Sequence, residues 1–136
     1  MRHWILKSEP SSYSWNDLLR EGTATWDGVR NFQARNNLRA MACGDLGLLY
    51  HSVSEKRVVG SLRIVKSAFP DPTAPGEDWS AVLVEPLEAF PAPVPLATLK
   101  ADPALTELSL LRQGRLSIAP ISAQEFDRIC HLGGLA

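Results

Sequence analysis

The chain's middle constrains its fold most, because residues 46 to 90 read as a succession of strands. Leu46 to His51 is short and apolar. In Arg57 to Ala68, Leu62 and Ile64 alternate with Arg63, with Lys66 further along, the pattern of a half-buried strand. Trp79 to Val84 is a further strand, extending to Phe90. The segment between these, Phe69 to Asp78, holds three prolines and a glycine and reads as a loop. Gly60 inside a strand predicts a bulge or a close backbone approach.

Helices are signalled on both sides of this region. His3 to Lys7 is a first strand, and Ser8-Glu9-Pro10 stops it. Ser14 to Gly22 predicts a short helix with Ser14 as N-cap and Gly22 at its end. Asn31 to Met41 predicts another, in which Ala34, Leu38 and Met41 share a face. Pro91 to Pro95 reads as a connector, followed by a short helix from Leu96 and another within Pro103 to Leu110. Leu111 to Ile118 is a loop leading into a strand. Ser122-Ala123-Gln124-Glu125 is a capping-box pattern opening a last helix that Gly133-Gly134 ends. The class is α+β: a mostly antiparallel, curled sheet or small β-barrel with short flanking helices, in one domain over residues 1–136.

Composition narrows function. The 136 residues carry a net charge of -1, with 45% hydrophobic and 21% charged residues. A broad, non-specific nucleic-acid binder would be basic overall, whereas a focused arginine cluster remains compatible with neutrality. The N-terminus turns polar at once, and no apolar run approaches the ~20 residues of a membrane helix. The expectation is a reducing compartment, a bacterial cytoplasm or a nucleus, and no membrane partner. His3, Cys43, His51, Cys130 and His131 lack metal-ligand spacing, so no metal and no cofactor is expected.

The chemistry concentrates in Trp26 to Arg39, which holds three arginines, three asparagines, a tryptophan and an Asp27-Gly28 turn. Guanidinium forks, amides and an indole suit a flat, polar ligand linked to negative charge, such as a nucleotide. The plainer reading is a loop whose arginines pair with surface carboxylates. Trp26 is the candidate for base stacking, worth ~1–3 kcal/mol per base; Trp4, Trp15 and Trp79 fit core positions. Glu9, at a strand end, suits an exocyclic amine, as a carboxylate does with cytosine, and Ser8 adds a further polar group. Arg112 and Arg115 flank Gly114 and suit phosphate. His51 is a candidate ligand donor or general base, or a structural histidine.

At these residues the sequence resembles the EVE domain family, that of the thymocyte nuclear protein-like chains. The resemblance rests on Trp4-Ile5-Leu6-Lys7-Ser8-Glu9-Pro10, Trp26 to Asn36, Tyr50-His51-Ser52, Phe69-Pro70-Asp71-Pro72-Thr73 and Leu110 to Ser117, in the family's order. It implies a PUA-like fold related to YTH domains, and a reader of modified bases, chiefly modified cytosines in DNA, that flips the base into a pocket. The pocket and rim it implies are Lys7, Ser8, Glu9, Trp26, Asp27, Gly28, Arg30, Asn31, Arg115, Leu116 and Ser117. Phe32 stands where the family usually has tyrosine, and Gly114 where it has serine.

The leading expectation is therefore a non-catalytic, monomeric reader of nucleic acid, DNA in preference to RNA. It has no catalytic residues; Lys7, Ser8, Glu9, Trp26, Asp27, Gly28, Arg30, Asn31, His51, Arg115, Leu116 and Ser117 bind the ligand. Arg35, Arg39 and Arg112 contact phosphates. The alternatives are a nucleoside amide hydrolase of ASCH-like type, with Lys7, Glu9 and His51 as acid and base, and an RNA-binding module.

Overall fold

The computed structural model describes residues 1–135. Its strands are β1 (His3–Ser8), β2 (Ala24–Trp26), β3 (Leu46–His51), β4 (Arg57–Pro70), β5 (Ser80–Pro95) and β6 (Ile118–Ile121). Its helices are α1 (Trp15–Glu21), α2 (Phe32–Ala40), α3 (Leu96–Ala101), α4 (Ser109–Arg112) and α5 (Ala123–Leu132), with a 3₁₀ turn at Pro103–Leu105. The six strands form one sheet in the order β2-β5-β4-β3-β1-β6. Only β1 and β3 pair in parallel; every other pair is antiparallel. In hydrogen bonding the sheet is not closed, with β2 and β6 as its two edges. Helix α2 packs on β4, β5 and β6, and so spans from near one edge to the other.

Trp4, Ile5 and Leu6 are all fully buried, so β1 is covered on both faces. This explains why it reads as a continuous apolar run without alternation. Its start is fixed by Asp45, which is buried and accepts hydrogen bonds from Trp4 Nε1 (3.1 Å), the Arg2 amide (3.1 Å) and the Ala42 amide (2.9 Å). Ser14 is the N-cap of α1 as the sequence predicts, and forms a capping box with Asp17; the predicted box of Ser122 with Glu125 opens α5. Gly60 is also where expected. The β3–β4 and β4–β5 registers shift around it, and a Cβ there would stand 2.6 Å from the Trp15 ring. Glycine lets the indole of α1 lie against the strand.

Two expectations need correction, and one strand went unread. Pro91 to Pro95 is the end of β5, with Val94 opposite Val58 and Pro95 opposite Arg57. The other side of β5 pairs with β2 only at Val82, Leu83 and Val84, so these prolines lie on an unpaired edge that needs no amide donor. Ala24–Trp26 forms β2, a strand too short to leave a periodic pattern. Trp79 lies just before β5 and is only half-buried; it is a surface tryptophan, not a core one.

Candidate functional site

A cavity of about 420 Å³ opens beside the two sheet edges, where the strands do not close on each other. One side is the end of β1 with its turn, through Lys7, Ser8, Ser12 and Tyr13. The facing side is β2 and the segment after it, Thr25 to Arg30, and Ser117, just before β6, completes the lining. Sequence positions spread over more than a hundred residues meet here because β1 pairs with β6 and β2 runs at the opposite edge.

The first wall is held by backbone acceptors. Ser8 Oγ donates to the Tyr13 carbonyl at 2.7 Å, and the Lys7 amide donates to the Ser117 carbonyl at 2.9 Å. Lys7 Nζ donates to the Gly114 carbonyl at 2.7 Å. Among the described residues this ammonium makes no ion pair, and burial lowers its pKa. Tyr13 and Trp26 meet edge to face, ring centroids 5.8 Å apart at 88°, which gives the cavity an aromatic corner. Trp26 is 8% exposed, so most of the indole is core and the remainder faces the cavity.

The second wall hangs on Asp71, whose side chain is 0% exposed. One carboxylate oxygen accepts from the Gly28 amide (2.9 Å) and from Arg30 Nη1 (2.9 Å). The other accepts from the Thr73 amide (2.7 Å) and hydroxyl (2.6 Å). Arg30 Nη2 donates in turn to Thr73 Oγ1 at 2.9 Å. Burial alone would raise the Asp71 pKa, but hydrogen bonds from Thr73, Arg30 and Gly28 outweigh it and hold the carboxyl far below the usual range. Gly28 sits at φ 75°, a left-handed turn that glycine adopts without strain. The turn presents Asp27 to the cavity. Asp27 stays exposed, yet partial desolvation and then the charge of Asp71 push its carboxyl above the ordinary range. Asp27 is the one carboxylate in the lining.

Of the residues singled out from the sequence, the cavity brings together Lys7, Ser8, Trp26, Asp27, Gly28, Arg30 and Ser117. Others lie elsewhere, each for a visible reason. Glu9 turns to its own neighbours, accepting from Ser11 and from Ser54 Oγ (2.8 Å). Asn31 is the N-cap of α2, its Oδ1 accepting from the Ala34 amide at 2.9 Å. His51 is buried away from the cavity, its Nε2 accepting from the Trp15 amide at 3.0 Å and its Nδ1 paired with Glu55 at 2.8 Å. With Glu9 and His51 absent from the lining, the three groups of an acid–base set do not converge. Arg35 and Arg39 both bond to the exposed Asp78, and Arg39 Nε also donates to Ser80 Oγ at 2.9 Å. Arg112 pairs with Glu107. Leu116 is core at 6% exposure. Arg115 is exposed beside the cavity, lines a neighbouring depression with Asn31 and Gly114, and makes no ion pair among the described residues.

Sequence reasoning missed Ser12, Tyr13, Thr25 and Val29 as lining, and Asp71 as the anchor of Gly28 and Arg30. An aromatic residue in the polar turn after Pro10 was an available signal for Tyr13. Asp71 stands in the Phe69 to Thr73 motif, but its anchoring role gave no local signal, because Gly28 and Arg30 lie more than forty positions away and only Thr73 is near. Among the described residues no three His, Cys, Asp or Glu side chains cluster as metal ligands, and no helix is long and apolar enough to cross a membrane.

Comparison with known proteins bears directly on this arrangement. The model of the EVE domain matches residues 2–132. Thymocyte nuclear protein 1 of Homo sapiens is 37% identical over 96% of this chain and 73% of its own length. A crystal structure from Agrobacterium tumefaciens superposes with a TM-score of 0.97 at 41% identity, covering 100% of this chain and 95% of that one. Human THYN1 in complex with 5-methylcytosine containing DNA gives a TM-score of 0.91 at 34% identity, covering 100% and 99%. A YTH domain of Zygosaccharomyces rouxii, at TM-score 0.63 and 17% identity over 97% and 86%, shares the fold.

Proposed function

The chain belongs to the EVE domain family, and from that premise we propose that its cavity receives one modified base turned out of its stack, a modified cytosine in DNA before any other. The observation that carries this reading is the lining itself. An aromatic corner of Tyr13 and Trp26 meets a single carboxylate, Asp27, with the hydroxyls of Ser8 and Ser117 and the ammonium of Lys7 around it. The human relative bound to 5-methylcytosine containing DNA supports DNA and a methylated cytosine as the ligand.

In this reading Asp27 accepts from the exocyclic amine of the base, the part that Glu9 was expected to play. The aromatic corner contacts the ring and its methyl group. Lys7 and Arg115, which have no carboxylate partner among the described residues, hold the phosphates on either side. Turning the base out costs a few kcal/mol, comparable to one stacking contact plus one good polar pair. Affinity then depends on the two free cations and falls with salt. In this reading the protein binds its ligand without turning it over; Glu9 and His51, two of the three groups of the hydrolase alternative, lie outside the lining.

Fluorescence anisotropy with labelled oligonucleotides at fixed salt tests the reading. Strands with one 5-methylcytosine should bind more tightly than the same strands with cytosine, and Asp27→Asn should weaken both, because the exocyclic amine is common to the two bases. Equal binding of both strands, unaffected by Asp27→Asn, would sink it.

A further inference from the structure

Phe32, at the start of α2, is 66% exposed. Its ring stacks on Trp79 with centroids 5.2 Å apart and planes 20° apart. The Arg35 guanidinium lies 5.0 Å from the Phe32 centroid and 5.8 Å from that of Trp79. The Arg30 guanidinium lies 5.6 Å from the Trp79 centroid. Arg30 also lines the cavity, so the stack is continuous with the cavity's rim. On its far side Trp79 borders a shallow depression shared with Phe69, over whose ring Lys66 stands at 4.9 Å.

We infer that the Phe32–Trp79 stack is a second subsite, which takes the face of an unpaired nucleobase next to the one held in the cavity. The inference rests on the proposed reading of the cavity and extends it to a single-stranded flank. Three features argue for a base over another occupant. Phe32 is exposed and lies nearly parallel to Trp79, a planar aromatic surface of the kind that sequence-tolerant base stacking uses. The stack is braced by guanidiniums, Arg35 against both Phe32 and Trp79 and Arg30 against Trp79. Its cations are already neutralised, Arg30 by Asp71 and Arg35 by Asp78, so the subsite offers a π-face and little net charge. Removing Phe32 should therefore change affinity without changing the salt dependence, whereas removing a phosphate contact changes both.

The test compares wild type, Phe32→Ala and Phe32→Trp by anisotropy and competition. The ligands are a single-stranded oligonucleotide with one central 5-methylcytosine, a duplex with the same methylated base, the cytosine counterpart of each, and 5-methyl-dCMP alone. The expected result is a roughly tenfold weaker single strand for Phe32→Ala, an unchanged salt slope, an unchanged mononucleotide, and recovery in Phe32→Trp. Unaltered single-strand binding by Phe32→Ala overturns the subsite, as does equal weakening of mononucleotide and oligonucleotide. Wild type that binds the methylated duplex but not the single strand also overturns it, and leaves the cavity reading intact. If no methylated ligand binds better than its unmethylated counterpart, the cavity reading fails and the subsite fails with it. A change confined to the sedimentation of the protein would make the stack a contact between copies of the chain, and would overturn the subsite.

Discussion

Asp71 and Asp78 belong to the same proline-rich segment, and each receives arginine from the Trp26–Arg39 stretch, yet they do different work. Asp71 is fully buried and gathers a backbone amide, a guanidinium and both donors of Thr73, so it sets where Gly28 and Arg30 stand. Asp78 is 79% exposed and clips Arg35 and Arg39 to the surface beside α2. The same residue types make a scaffold in one place and a solvated clamp in the other. Burial decides which, because a carboxylate removed from water must have all its acceptor positions satisfied.

The comparison breaks most sharply at Asp71. Asp71→Ala should lower stability on the order of 3 kcal/mol in urea unfolding and abolish binding in the cavity. An equally stable variant would remove its role as anchor. The pH dependence follows the same logic. Because the folded pKa of Asp71 is depressed, its contribution is complete above the ordinary carboxylate range and is lost as pH falls below about 4. Wild type should therefore lose stability in acid more steeply than Asp71→Asn.

Asp27 comes next in size. Asp27→Asn should weaken the methylated strand about tenfold. Its raised pKa means that protonation favours the free fold as pH falls through it, whereas the ligand's amine requires the ionised form. Binding should thus weaken with acidification starting above the usual carboxylate range, and a flat profile in wild type would remove Asp27 from the reading role.

Smaller effects separate the free cations from the clamped ones. Lys7→Met and Arg115→Gln should each reduce the slope of log affinity against log salt by about one. Arg35→Gln should leave the slope unchanged, because its charge is held by Asp78. The least effect belongs to Asp78→Ala: little loss of stability, no change in discrimination between methylated and unmethylated strands, and a slightly steeper salt slope as two guanidiniums are released.

Much of the architecture is legible without coordinates. Ser14 and Ser122 announce their helices because a capping box is complete within four residues. Gly60 announces a close approach, although not that Trp15 makes it. Asn31 shows where local reading divides. An asparagine before an amphipathic stretch signals an N-cap as strongly as a ligand contact, and the cap is what the fold uses. Pro91 to Pro95 read as a connector because proline excludes a paired strand edge, and only the sheet order shows that this edge is unpaired.

By itself the sequence determined the strands of the middle, the capped helices, the family, and a stretch rich in arginine, amide and indole. Tertiary structure decided which of those arginines stay available. Arg30 meets Asp71 across 41 positions and Arg39 meets Asp78 across 39, while Arg115 meets no carboxylate among the described residues. The chemistry of a guanidinium is local to its residue. Whether its charge is free depends on what the chain brings within a few ångströms of it, and for Arg30 and Arg39 that is decided by how the proline-rich segment between β4 and β5 folds back beside β2 and α2.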